Sequence, residues 1–150
     1  KKGDDLHVMW RIPFEAGTLK AISRKGGKVV LEKEIKTAGN PSQLKLTADR
    51  STIKADKNDL SFVTVDILDA NGTIAPNANN EINFSLKGNG KIVGVCSGDP
   101  VSHEPYKVTK HTALAGKCLV IVQSGDKSGR LELTASANGL KSSTILITAK

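Results

Sequence analysis

An antiparallel all-β sandwich is the fold this sequence predicts, and three observations predict it. Apolar and polar residues alternate with a period of two in one segment after another, as in Val63-Thr64-Val65-Asp66-Ile67 and Leu131-Glu132-Leu133-Thr134-Ala135. That is the signature of strands with one face in a core and one in water. Helical periodicity is almost absent. Turn chemistry separates the segments at Gly26-Gly27, Gly39-Asn40-Pro41, Asn71-Gly72, Gly88-Asn89-Gly90, Gly98-Asp99-Pro100, Gly125-Asp126 and Asn138-Gly139. A chain of 150 residues is long enough to build a core, since it hides roughly 68–70% of its unfolded surface.

Each element has its own warrant. Val8, Trp10 and Ile12 alternate and predict a strand near 6–12, and two more follow near 18–24 and 28–36 on either side of Gly26-Gly27. The pattern then breaks at Ala38-Gly39-Asn40-Pro41-Ser42. Downstream, strands are predicted near 43–48, 60–68, 81–87, 91–96, 117–123, 130–137 and 143–149. The runs Ile92-Val93-Gly94-Val95-Cys96 and Cys118-Leu119-Val120-Ile121-Val122 are continuously apolar; the others alternate. Seven antiparallel strands in roughly 100 residues is the size of an immunoglobulin-like sandwich. Val63, Val65, Ile82, Phe84, Leu131, Leu133 and Ile147 should face inward, and Thr64, Asp66, Asn83, Glu132 and Thr134 outward. Residues 39–150 are therefore read as one immunoglobulin-like domain. Residues 1–38 are read as three closing strands of a truncated preceding β-sandwich domain, because three strands do not make a comfortable domain alone.

Composition limits the function. The net charge of +7, from 22 Lys+Arg against 15 Asp+Glu, comes from basic residues spread singly along the chain. Nucleic-acid binding is excluded on that spread and on 3% aromatic content, because single-strand binders interleave stacking aromatics with a basic groove. No apolar run approaches the roughly 20 residues that span a bilayer. The chain opens Lys1-Lys2-Gly3-Asp4-Asp5, without Met or an apolar leader, and reads as a fragment of something longer whose targeting signal lies elsewhere.

Cys96 and Cys118 lie in apolar runs and are read as buried thiols, with a bridge between them left open. Three scattered His and no CxxC or HxxxH give no zinc spacing, and no metal or cofactor is expected. Asp56-Lys57-Asn58-Asp59 and Asp69-Ala70-Asn71-Gly72 resemble the start of calcium loops but lack the Glu at the twelfth position, and read as Asx-rich turns. Asn71-Gly72-Thr73 and Asn83-Phe84-Ser85 match the glycosylation sequon, which matters only in a eukaryotic secretory protein.

The stretch 97–116 breaks the rhythm, and long loops of this kind are usually functional. Asp99, Ser102, His103, Glu104 and Tyr106 within it are the candidate interdomain contact residues. A Ser/His/acid set inside one short loop is the wrong way to build a triad, whose members converge from separate elements. Gly98, Pro100 and Pro105 instead suggest a shaped turn, with Asp99 and Ser102 bonding local backbone. No catalytic residue is assigned.

Two families are resembled. Asp69-Ala-Asn-Gly72, Ile82-Asn-Phe84, Gly88-Asn-Gly90-Lys-Ile92 and Gly129-Arg-Leu131-Glu-Leu133 resemble bacterial immunoglobulin-like domains of the invasin and intimin type. Trp10-Arg-Ile-Pro13-Phe14-Glu-Ala-Gly17-Thr-Leu19, Leu60-Ser-Phe-Val-Thr-Val65 and Gly94-Val-Cys-Ser-Gly98-Asp-Pro100-Val-Ser102-His-Glu104-Pro105 are similar to the C-terminal region of bacterial family-two glycoside hydrolases. These are β-galactosidase-like enzymes, notably of gut Bacteroidetes. Cys96-Ser97 is a departure from that family's Gly- or Asp-Asn. The resemblance implies a non-catalytic accessory domain of a secreted, periplasmic or cell-surface bacterial hydrolase. The two catalytic Glu of such an enzyme would lie on an upstream barrel, and carbohydrate would be met only through the parent. Upstream domains are the expected partners, with a homo-oligomer through residues 1–38 as a further expectation. A surface-protein stalk and a carbohydrate-binding module are the alternative readings.

Overall fold

A computed structural model describes residues 9–150. The chain divides into two compact units, Lys1–Thr37 and Ala38–Lys150. In the first, β1 (Thr18–Lys25) and β2 (Lys28–Lys36) form an antiparallel hairpin. Gly26 and Gly27 both have positive φ, 56° and 79°, as the two-residue turn matched to strand twist requires. Gly17 N–H donates to Thr37 Oγ1 at 3.0 Å and Thr37 N–H to Gly17 O at 2.8 Å, closing the open end. Every residue of both strands is exposed.

The third strand expected near 6–12 is corrected. Residues 9–12 form no strand, and 6–8 lie outside the described residues. Alternation at Trp10 and Ile12 marks a face, but a strand needs a partner for its backbone groups. None pairs with this run among the described residues, and Pro13 beside it has no N–H to offer.

The second unit packs two sheets face to face. One has five strands: β4 (Thr52–Ile53), β11 (Ser143–Ala149), β10 (Gly129–Ser136), β6 (Glu81–Lys87) and β8 (Lys110–Thr112) in spatial order. The other has four: β3 (Gln43–Ala48), β5 (Leu60–Leu68), β9 (Lys117–Ser124) and β7 (Gly90–Cys96). The seven expected strands are all present, each within one residue of its predicted ends. The two-residue β4 and three-residue β8 are additional, too short to carry a period of their own.

The core lies between the sheets. Val63, Val65, Ile67, Val120 and Val122 come from the four-stranded sheet, and Ile82, Phe84, Leu131, Leu133 and Ile147 from the five-stranded one, all buried. The predicted inward residues are thus inward. Of the predicted outward ones Asn83 is exposed, while Thr64, Asp66, Glu132 and Thr134 are half-buried by cross-strand partners. Lys117 Nζ meets Asp66 at 2.7 Å, Lys87 Nζ meets Glu132 at 3.0 Å, and Thr134 bonds Thr144 hydroxyl to hydroxyl at 2.9 Å.

Asp69 organises the entry into the sandwich. Only 2% exposed, it accepts N–H bonds from Gly39, Asn71 and Thr73 at 2.8–2.9 Å. These bonds, Gly39's first, hold its carboxyl below the ordinary aspartate range. The Asp56 carboxylate likewise accepts from Asn58 N–H and Asp59 N–H. Both are Asx turns.

Candidate functional site

The long irregular segment runs from the end of β7 to β8 and joins the edges of the two sheets. It is built from local side-chain bonds to backbone. Gly98 takes φ 76°, which a side chain would resist. Asp99 Oδ1 then accepts Val101 N–H at 3.0 Å, and Ser102 Oγ accepts Glu104 N–H at 3.2 Å. The local roles expected for Asp99 and Ser102 are therefore the observed ones.

Glu104 turns inward. Its Oε2 accepts Thr112 N–H at 2.9 Å and lies 3.5 Å from His111 Nδ1. The Thr112 hydroxyl, then its backbone N–H, hold the Glu104 carboxyl below the ordinary range. Tyr106 O accepts Val95 N–H at 2.8 Å, which ties the loop back to β7. The Tyr106 ring lies parallel to the His111 imidazole, 9° between planes and 6.3 Å between centroids. Tyr106 nevertheless remains 60% exposed.

Between this loop and β7 lies a cavity of about 390 Å³. Gly94 and Ile121 contribute its apolar wall, with Cys96, Ser97, Asp99, Ser102, Tyr106 and His111 among the other lining residues. Gly94 sits at a β-bulge in β7, where the register against β9 slips between Ile92 and Gly94. Three of the five candidate residues, Asp99, Ser102 and Tyr106, are brought to one cavity; Glu104 supports it from behind. His103 is exposed and does not line it.

His111 is the residue that sequence reasoning missed. It lies opposite Ile82 on the short β8, is 1% exposed, and directs Nδ1–H to Thr112 O at 2.9 Å. Its Nε2 is buried with no hydrogen-bond partner among the described residues. The available signal was small: His111 and Ala113 alternate as a buried pair just before the Ala115-Gly116 turn.

Cys96 is half-buried and Cys118 buried, and both are free thiols. Cys96 pairs with Leu119, so the two cysteines direct their side chains to opposite faces of the sheet. Cys118 Sγ donates instead to Cys96 O at 3.3 Å, and burial pushes its thiol up to about 12.

Among the described residues the cavity does not bring together the paired acids of glycoside cleavage. Glycoside cleavage ordinarily needs two carboxyl groups facing one bond, about 5–9.5 Å apart. Asp99 is the one acid among the cavity's lining residues, and its Oδ1 is committed to a turn.

Comparison with known proteins places these features in context. The model of glycoside hydrolase family 2 C-terminal domain 5 matches residues 44–146. That of a domain of unknown function (DUF4982) matches residues 1–31. The chain is 51% identical to Beta-galactosidase BoGH2A of Bacteroides ovatus over 147 residues, which cover 98% of this chain and 17% of that protein. A solved glycosyl hydrolase family 2 member from Bacteroides cellulosilyticus matches with a TM-score of 0.90 and 35% identity, over 94% of this chain and 18% of that one. The D00-D0 domain of intimin, at 15% identity, shares the fold with a TM-score of 0.55 over 91% of this chain and 66% of that one. The sandwich is thus immunoglobulin-like. The chain spans about a sixth of the length of its curated relative.

Proposed function

The chain belongs to the glycoside hydrolase family 2 C-terminal domains, and we propose that it serves as the non-catalytic closing portion of a β-galactosidase-like enzyme. The observation that carries this is the pairing of near-complete coverage of this chain, 98%, with 17% coverage of a β-galactosidase. The single turn-bound acid of the cavity supports it.

In this reading the catalytic carboxylates sit on upstream domains, which are the partners of the 97–116 loop. Asp99, Ser102, His103, Glu104 and Tyr106 supply the contact, with His103 and Tyr106 already exposed for it. The enzyme works in the periplasm, at the cell surface or outside a bacterium, a location that fractionation of the producing cells tests. The hairpin completes an upstream domain of the parent. In the isolated 150-residue chain its exposed Leu19, Leu31 and Ile35 favour pairing with a second copy, which sedimentation reads as a dimer.

The 150-residue chain should release no aryl alcohol from aryl β-galactosides above buffer. Removing residues 38–150 from the parent should lower its kcat/KM or its thermal stability. Turnover by the isolated chain that vanishes on one Glu→Gln change would overturn the proposal.

A further inference from the structure

We infer that the outer face of the four-stranded sheet, where β7 and β9 meet the 97–106 loop, docks an upstream domain of the same enzyme. That domain seats a large apolar side chain in the cavity beside Gly94. The inference deepens the accessory reading and rests on one part of it, that this chain is joined to further domains.

The two sheets differ on the faces they turn away from the core. On the five-stranded sheet the register sets Lys87 beside Glu132, Ser85 beside Thr134 and Asn83 beside Ser136, with Thr144 and Leu146 following on β11. Leu146 apart, those residues are polar and suit water. On the four-stranded sheet the corresponding rows read Phe62, Ile121, Gly94 and Thr64, Leu119, Cys96 across β5, β9 and β7. Phe62 is 39% exposed, and Leu119, Ile121 and Cys96 are half-buried. A run that is apolar on both sides, as Cys118-Leu119-Val120-Ile121-Val122 is, fits a sheet covered on both faces. The 97–106 loop covers part of this one, since Ile121 and Cys96 line the cavity together with loop residues.

The cavity sets the chemistry of the occupant. Its accessible wall is mostly apolar. Asp99 Oδ1 and Ser102 Oγ beside it already accept Val101 and Glu104 N–H groups. Gly94 brings no side chain to the wall, where an added Cβ would touch Ile121 at 3.4 Å. An apolar void of about 150 Å³ already takes a benzene ring, and this one is about 390 Å³. Large side chains entering such pockets anchor interfaces, while rim contacts contribute little. Val101 and Tyr106, 77% and 60% exposed, add apolar surface on the loop. The source of the anchor follows from how little of an enzyme this chain represents. It matches 17% of the related β-galactosidase and belongs to a C-terminal domain family, so the rest of such an enzyme lies upstream.

The test compares the 150-residue chain with the parent enzyme. Cys96 lies on the cavity wall and is half-buried, whereas Cys118 is buried, so N-ethylmaleimide followed by peptide mass spectrometry reads Cys96. Labelling is expected to be at least about tenfold slower in the parent than in the isolated chain, and amides 97–106 should exchange correspondingly more slowly there. Indole, an apolar side chain without its backbone, should give saturable amide shifts at Gly94, Val95, Cys96 and Ile121 of the isolated chain at millimolar concentration, and glycerol none. Gly94→Leu fills the cavity from its own wall. It should abolish the indole response and, in the parent, return the 97–106 amides to the rates of the isolated chain; unchanged β10 and β11 amides would show that the variant is folded. Equal Cys96 labelling in parent and chain, no response to indole, or full protection in the Gly94→Leu parent would overturn the docking. So would Cys96 protection in the isolated chain that grows with its concentration, which would assign the face to a second copy. Truncation that lowers kcat/KM alongside equal Cys96 labelling would overturn the docking and leave the accessory role standing, so the two proposals fall separately.

Discussion

The β1–β2 hairpin and the sandwich are written in the same rhythm and reach opposite states of burial. Leu19, Ile22, Val30 and Ile35 of the hairpin are 44–71% exposed. Val63, Val65, Leu133 and Ile147 of the sandwich are each 0% exposed. Alternation and a well-formed Gly-Gly turn are enough to pair two strands. Burial needs a second layer, and the two sheets of residues 38–150 supply one to each other. Periodicity in sequence thus reports which face a strand offers, and the rest of the chain decides whether that face is covered.

The largest effect expected to separate the two regions is that of a truncated apolar side chain. Phe84→Ala should cost about 3–5 kcal/mol in denaturant melts, as for other buried Phe. Ile35→Ala in the hairpin should change the same melt by less than about 0.5 kcal/mol. Comparable losses at the two sites would break the contrast.

Glycine sharpens it at a smaller scale. Gly88 has φ 109°, and a Cβ there would run into Arg130 O. Gly26, with φ 56°, has nothing within 4 Å of that position. Gly26→Ala should therefore carry only the cost of a left-handed alanine, about 1–2 kcal/mol, read from exchange of the hairpin amides. Gly88→Ala should cost more than that in a global melt, because the β10 backbone at Arg130 must also move.

A third comparison uses pH. Hydrogen bonds hold the Asp69 and Glu104 carboxyls below their ordinary values of 3.8 and 4.5. Their contribution to stability is full above those values and is lost as pH falls through the lower, folded ones. The sandwich should accordingly loosen in acid below about pH 4, and Asp69→Asn should flatten that limb of the stability curve. A melt with the same acid dependence in that variant would show that Asp69 does not set it.

The smallest effect is expected on the hairpin's charged face, where Lys20 meets Glu32 and Glu34 in the open. Lys20→Ala should change stability by less than about 1 kcal/mol, and salt should erase the difference.

Most of the sandwich was legible because most of its long strands bury alternate residues, β7 being the exception. What the sequence did not disclose has a common physical cause. β4 and β8 are strands by virtue of their partners, β11 and β6, and two or three residues cannot show a period. Over residues 9–12 of the strand expected near 6–12 the reason is the converse, a period with no partner among the described residues. At the candidate site, Asp99 and Ser102 were legible because their chemistry is local, within two residues of the groups they bond. The cavity and His111 were not, because they arise where β7, β8 and the loop meet across the chain.

One feature of the sandwich bears on how the chain carries load. The entering run 42–55 lies beside the closing run 141–150 and points the same way. Lys141 N–H donates to Ser42 O, Leu44 N–H to Lys141 O, Thr148 N–H to Ser51 O, and Ala55 N–H to Lys150 O, all at 2.7–3.0 Å. Tension applied to the two ends of residues 38–150 would draw these parallel runs past each other, loading their hydrogen bonds together in shear instead of one by one. Single-molecule pulling on this unit is therefore expected to show one abrupt rupture, not a gradual unzipping from either terminus.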